Sequence, residues 1–211
     1  MKRSARFIPA LAIAAIVATA PAAADTWQID PAHSTAQFSV THNMIATVRG
    51  EFGKMSGTID YDGTSVDSIK VDVTIDATSI TTRNEKRDGH LKSPDFFDVA
   101  KYPTLTFKSK KVAAGTGGGF KLVGDLTMHG VTKEVTLDAT APSKIIKGGR
   151  GESRVAASAT TKIDRQEFGV KWNANLDSGG VVVSDTVAIT IDIEAILPPP
   201  APPAAAAPPK Q

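Results

Sequence analysis

The 211-residue sequence contains no cysteine. This absence excludes disulfide bonds, thiolate metal sites, iron–sulfur clusters and cysteine nucleophiles. It also lacks a long block of one charge: 24 basic and 22 acidic residues are mixed along the chain and leave a formal net charge of +2. That mixture argues against a nucleic-acid-binding arm. Aromatic residues make up only 6% of the chain, so few large rings are present to fill a core.

One long apolar run is present, and it lies at the N-terminus. Three basic residues within the first six precede an uncharged stretch at 7–20, and three alanines at 22–24 form a small-residue cleavage pattern. A membrane anchor is the alternative, but about 14 residues are fewer than the roughly 20 that a spanning helix needs. We therefore predict a cleaved signal peptide over residues 1–24, export of the protein, and a mature chain that starts at Asp25.

The composition changes again near the C-terminus. Residues 198–211 are almost only proline and alanine, a composition that favours polyproline II and does not join a sheet. We predict a disordered tail here, and a spacer or a ligand for a partner is the alternative. Residues 25–197 then form a single domain, large enough to bury a core without disulfide bonds.

Within this domain, apolar residues recur at every second position, which is the period of a strand and not of a helix. Eight such runs are separated by turn signals such as Gly115–Gly119 and His129-Gly130. The alternation changes parity near Gly53, which predicts a bulge there. Long antiparallel strands with one apolar face must close on themselves or pair with a second sheet. An up-and-down barrel and a β-sandwich both fit this pattern.

The segment Thr82–Ala100 does not alternate. We predict two short helices in it, and the second starts with Ser93 as N-cap and Pro94 as first helical residue. The Phe96-Phe97 pair is expected to pack on the barrel or to close one mouth. A further turn is predicted over Asp164–Phe168.

Four sequence blocks, in a fixed order, give the domain a specific resemblance. They are Asp30-Pro31-Ala32-His33-Ser34 ahead of Phe38 and His42, Arg87-Asp88-Gly89-His90-Leu91 with Phe96-Phe97-Asp98 and Tyr102-Pro103, Gly124–Lys133, and Arg165–Gly169 followed by Asp185. Together they resemble the YceI-like family of bacterial exported proteins over nearly the whole of 25–197. The resemblance implies an all-β fold, an eight-stranded antiparallel lipocalin-like barrel with one or two short helices, and a periplasmic location. It also implies a long apolar cavity that holds a polyisoprenoid chain, such as an isoprenoid quinone tail.

The inside of an eight-stranded barrel can be filled by side chains or can hold one small ligand. Small inward residues such as Ala157 and Ala159, and the scarcity of rings, favour a cavity. Eleven residues are predicted to line it and to contact the ligand: Phe38, Val40, Val73, Ile75, Phe97, Phe107, Leu122, Leu126, Leu137, Ile189 and Ile191. The candidate head-group contacts are His42, Arg87 and Arg165. For the arginines, ion pairs that pin the helix to the barrel are the alternative, for example between Arg165 and Asp185.

We predict a non-catalytic protein that binds a polyisoprenoid lipid and carries or sequesters it. No cofactor and no metal site are predicted, because the histidines lack the spacing of a zinc protease and no Gly-x-Ser-x-Gly is present. A zinc site from His33, His42 and His90 across loops is the alternative there. The isoprenoid lipid is the expected partner and nucleic acid is not, while transient membrane contact and a homodimer stay open. Two other functions also stay open: an enzyme that uses polar residues at the mouth on a lipid or quinone, and a filled barrel with a structural or stress role.

Overall fold

The computed structural model describes residues 24–199. The predicted signal peptide up to residue 23 and the tail from residue 200 lie outside the described residues. The described chain forms twelve strands: β1 Asp25–Ile29, β2 Thr35–His42, β3 Ala46–Phe52, β4 Met55–Tyr61, β5 Lys70–Asp76, β6 Ile80–Thr81, β7 Thr104–Ala114, β8 Phe120–Met128, β9 Val131–Ala139, β10 Ile146–Lys147, β11 Ser153–Asp164 and β12 Thr186–Leu197. Across 24–199, no helix has both the length and the apolar character to cross a bilayer.

Eight strands close into an antiparallel barrel. Their order is β11, β9, β8, β7, β5, β4, β1 and β12, and the ring closes because β12 pairs with β11 along its whole length, from Thr186 with Asp164 to Leu197 with Ser153. Closure removes the free sheet edges that long strands would otherwise expose. The predicted barrel is therefore confirmed, and the β-sandwich is not the fold of this chain.

The predicted count of eight strands and the observed twelve describe the same barrel. One predicted strand is interrupted, since β3 ends and β4 begins on either side of Gly53-Lys54. The other three additional strands, β1, β6 and β10, lie outside the predicted runs and were missed. The interruption at Gly53-Lys54 is where the parity of the apolar pattern changes, and it lets the chain turn from pairing with β2 to pairing with β1.

One α-helix, α1 Glu85–Lys92, occurs within the described range. The Asn84 side chain caps it by accepting a hydrogen bond from the backbone N–H of Arg87 at 3.0 Å. The predicted second helix is wrong, because Ser93 is the C-cap of α1 and not the N-cap of a new helix. The N–H groups of Phe97 and Asp98 donate back to the carbonyls of Leu91 and Ser93, so this segment folds against α1 in turns. The turn predicted over Asp164–Phe168 is confirmed as the 3₁₀ helix Arg165–Phe168.

The two ends of the barrel differ. Trp27, Tyr61 and Phe120 are buried together at the end where β1 begins and β4 ends, which we call the aromatic end. Because the strands are antiparallel, the turn between β2 and β3 and the turn Arg165–Phe168 lie at the opposite end, and α1 covers part of it. Because large rings are buried at the aromatic end, we expect a ligand to enter at the opposite end, beside α1.

Candidate functional site

A cavity of about 640 Å³ lies inside the barrel. Alternate residues of each strand point inward, so the period of two places one apolar face of every strand on the cavity wall. Strand β12 shows this most clearly, with Val187, Ile189, Ile191 and Ile193 on the wall. These side chains are only half-buried although they lie inside the barrel, because they face the cavity instead of packed atoms. The filled-barrel interpretation does not match this interior.

All eleven residues predicted to contact the ligand lie on the cavity wall. Their role as ligand contacts stays a prediction. Further wall residues were not predicted, although they follow the same alternation or come from loops: Val48, Met55, Ile59, Val71, Leu105, Val135, Trp172, Val187 and Ile193. The alternation of their own strands could have found most of these, whereas Trp172 lies in a loop and has no such signal.

The mouth of the cavity is beside the start of α1. Asn84, Lys86 and Arg87 belong to the cavity wall and are nevertheless exposed to solvent. His42, the last residue of β2, lies on the wall and is half-buried. The mouth is thus framed by α1 and by the turn between β2 and β3, and it is the place where the wall changes from apolar to polar and cationic.

Arg87 is held at this mouth by Thr82. Its Nε–H donates to the Thr82 hydroxyl at 2.7 Å and its Nη2–H donates to the Thr82 carbonyl at 3.0 Å. The Thr82 hydroxyl in turn donates to the carboxylate of Asp88, which fixes its orientation. These bonds use two of the five guanidinium N–H groups, and the other three have no protein acceptor among the described residues. Arg87 can therefore donate to an oxygen of a ligand at the mouth.

Arg165 lies on the wall but is fully engaged by the protein. Its side chain is only 5% exposed, and burial lowers the pKa of the guanidinium while the charges of Asp185 and Asp164 oppose that shift. All five N–H groups have acceptors, namely the carbonyls of Val170, Trp172, Val183 and Ser184 and the carboxylate of Asp185. No donor remains for a ligand, so these contacts favour the predicted alternative, in which Arg165 pairs with Asp185. Its function is to tie the loop at 169–185 to the barrel.

Aromatic rings join α1 to the rest of the mouth. His90 lies edge-on to Phe96 and to Trp172, at ring-centroid distances of 5.0 and 4.9 Å. Phe97 packs against Phe52 of β3 at 5.6 Å and lies on the cavity wall. The Phe96-Phe97 pair therefore packs on the barrel, as one of the two predicted alternatives has it.

Among the described residues, His33, His42 and His90 do not come together as one group of metal ligands. His90 pairs with Asp95 and His33 with Asp30, each at 2.9 Å. Within 24–199, one group of three side chains of metal-ligand type comes together, and it consists of Asp30, His33 and Glu194. Arg154 forms ion pairs with both of these carboxylates, so the group is an ion-pair network in which the guanidinium supplies the positive charge.

Comparison with known proteins identifies the family of this chain. The family model described as YceI-like domain matches residues 27–195. The chain belongs to the YceI-like family. A UPF0312 protein of Staphylococcus aureus (strain N315) is 33% identical over 165 residues, which cover 78% of this chain and 94% of that protein. The matched range of the YceI-like domain includes every residue that lines the cavity.

Solved structures show the same fold. The YceI protein of Campylobacter jejuni is 34% identical, with a TM-score of 0.64, over 75% of this chain and 90% of that one. A domain from Saccharophagus degradans is described as a polyisoprenoid binding domain implicated in plant cell wall breakdown. It is 19% identical, with a TM-score of 0.59, over 82% of this chain and 98% of that one. At that identity the likeness to this YceI-like domain is one of fold.

Proposed function

We propose that this protein binds a polyisoprenoid lipid, such as an isoprenoid quinone or a polyprenyl chain, in the barrel cavity and carries or sequesters it unchanged. The observation that supports this most is the cavity itself, about 640 Å³ with an almost wholly apolar wall. Such a wall suits a hydrocarbon chain and offers few groups for chemistry. That a domain of the same fold is described as binding polyisoprenoids is in keeping with the proposal.

The volume sets the length of chain that the cavity can hold. A water molecule occupies about 30 Å³ in the liquid, and a methylene group is of similar size, so the cavity of about 640 Å³ takes roughly 20 carbon atoms, or about four five-carbon prenyl units. A longer chain would extend through the mouth. The head group would then lie near the donors of Arg87 and near His42.

The energetics favour exchange over permanent capture. Burying one prenyl unit gains on the order of 4 kcal/mol relative to water, so several units bind tightly even after the loss of translational freedom. A bilayer also buries the chain, so the difference between protein and membrane is small. The protein would therefore take up and release lipid, which is the behaviour of a carrier or buffer. With the predicted signal peptide, we place this activity in the periplasm.

Native mass spectrometry of the mature chain, purified without detergent, tests the proposal. We expect an added mass that is released on lipid extraction as a prenyl compound of unchanged structure. A bare polypeptide that also stays bare after incubation with quinone or polyprenyl phosphate would contradict the binding function. A bound lipid recovered in chemically altered form would instead favour an enzyme.

A further inference from the structure

The turn between β2 and β3 carries exposed apolar side chains. Met44 is 60% exposed and Ile45 is 89% exposed. The turn is tied down, because the Asn43 N–H donates to the Val182 carbonyl at 2.8 Å and the Ile45 N–H donates to the His42 carbonyl at 3.1 Å. The two apolar side chains are thus presented to solvent by a turn that is closed by its own hydrogen bond and is bonded to the loop at 169–185.

This turn forms part of the rim of the mouth. His42 before it and Val48 after it both lie on the cavity wall. Val182, which accepts the hydrogen bond from the turn, lies on the wall as well. Met44 reaches over Gly180, where its Cγ is 3.1 Å from the position that a Cβ would take. The apolar tip is therefore directly outside the opening through which a lipid would pass.

Basic side chains stand on the other side of the same mouth. Lys86 and Arg87 lie on the wall and are exposed, and Arg83 just before α1 is exposed as well. Of the two acidic residues in the first turn of the helix, Asp88 is occupied by hydrogen bonds from Thr82, and Glu85 is exposed. Apolar side chains that enter the acyl region next to cations that meet lipid phosphates are the combination that binds anionic membranes.

We propose that Met44 and Ile45 insert into the surface of an anionic lipid bilayer and so hold the mouth against the membrane while lipid is exchanged. This inference rests on the proposed lipid-binding function. Two apolar side chains give only weak, reversible attachment, which suits a carrier that must leave again. The cations of α1 would add attraction that falls as the salt concentration rises.

Flotation with vesicles of phosphatidylethanolamine and phosphatidylglycerol that contain a prenyl quinone tests the docking. The double variant Met44→Ser/Ile45→Ser is compared with Ile145→Ser/Ile146→Ser, which removes the other exposed apolar pair, at the aromatic end. We expect the first variant to lose roughly tenfold or more in vesicle partitioning and in the rate of quinone transfer between vesicles. We expect the second variant to behave like the unchanged protein, and both to bind quinone delivered in solution.

The outcomes separate docking from binding. If the unchanged protein does not bind quinone in solution, the proposed function itself fails. If it binds in solution but the Met44→Ser/Ile45→Ser variant floats and transfers lipid as well as the unchanged protein does, the docking proposal is refuted. A loss confined to Ile145→Ser/Ile146→Ser would also refute it, because the protein would then meet the membrane with the aromatic end.

Discussion

Replacing Ala159 by phenylalanine tests whether the volume of the cavity controls lipid binding. Ala159 lies midway along β11, between Ala139 of β9 and Ile191 of β12, and it is part of the cavity wall. Phenylalanine adds six carbon atoms, about 180 Å³ at roughly 30 Å³ each, which is more than a quarter of the cavity of about 640 Å³. It therefore removes the room for about one prenyl unit.

The expected loss of affinity follows from that volume. One prenyl unit left outside forfeits on the order of 4 kcal/mol of burial, which is about a thousandfold in the dissociation constant at roughly 1.4 kcal/mol per factor of ten. This is an upper bound, since the chain can slide toward the mouth and keep part of its contacts. We expect a loss between tenfold and a thousandfold.

The assay can use the protein's own fluorescence, because Trp172 lies on the cavity wall and we expect a bound quinone to quench its emission. Thr160→Phe is the matched control: it adds a ring to the next residue of β11, which is exposed and is not part of the wall. Urea unfolding should show that Ala159→Phe remains folded, since its ring enters space that already exists. Equal quinone affinity in Ala159→Phe and in the unchanged protein, with the fold intact, would refute the reasoning.

Three further predictions concern the ligand and the fold. In competition binding, affinity for prenols of increasing length should rise with each unit and level off near about four units. A continued steep rise well beyond that length would contradict the limit that the cavity volume sets on the bound chain. Arg165→Met should lower the free energy of unfolding in urea by about 3–5 kcal/mol, because it leaves buried carbonyls and Asp185 without their donor, and a change below about 1 kcal/mol would be inconsistent with the role assigned to Arg165. The hydrogen bond with Asp30, and then the negative charge of Asp30, raise the pKa of His33. The charged imidazole therefore stabilises the fold fully below the ordinary histidine pKa of about 6.5. This contribution is lost as the pH rises through the raised pKa of His33. His33→Gln should therefore lower the melting temperature more near about pH 5.5 than near about pH 9, and an equal shift at both values would count against the pairing.

The sequence predicted the strands and the wall more completely than it predicted the polar groups. Alternation marks which residues share a face, and that is why all eleven predicted apolar residues, Phe38 and Ile191 among them, lie on the cavity wall. The prediction of a second helix was wrong for a local reason. Ser93-Pro94 has the composition of a helix start. However, the backbone N–H groups of Phe97 and Asp98 donate back to the end of α1, so this segment folds in turns and does not start a new helix.

Arg87 and Arg165 show that residue type alone does not predict whether an arginine at the cavity can contact a ligand. Both are arginines near acidic residues in sequence, and both lie on the cavity wall. Arg87 keeps three N–H groups without acceptors in the described chain, while the carbonyls of the loop at 169–185 engage most of the donors of Arg165. Those carbonyls come from a loop with no apolar period, so the sequence carries no signal of where they point.

The amino-acid order alone was enough to establish the strand faces, the tight turn at His129-Gly130 and the exclusion of all cysteine chemistry, because each depends on residues that are neighbours along the chain. Folding in three dimensions decided that the sheet closes, since closure joins the first strands of the domain to the last one, for example Gln28 with Ile196 and Phe38 with Ile189. It also decided the volume of the cavity and the position of its mouth. A period of two tells which side chains point inward, but how much space remains between them depends on how far apart the opposite walls of the barrel stand.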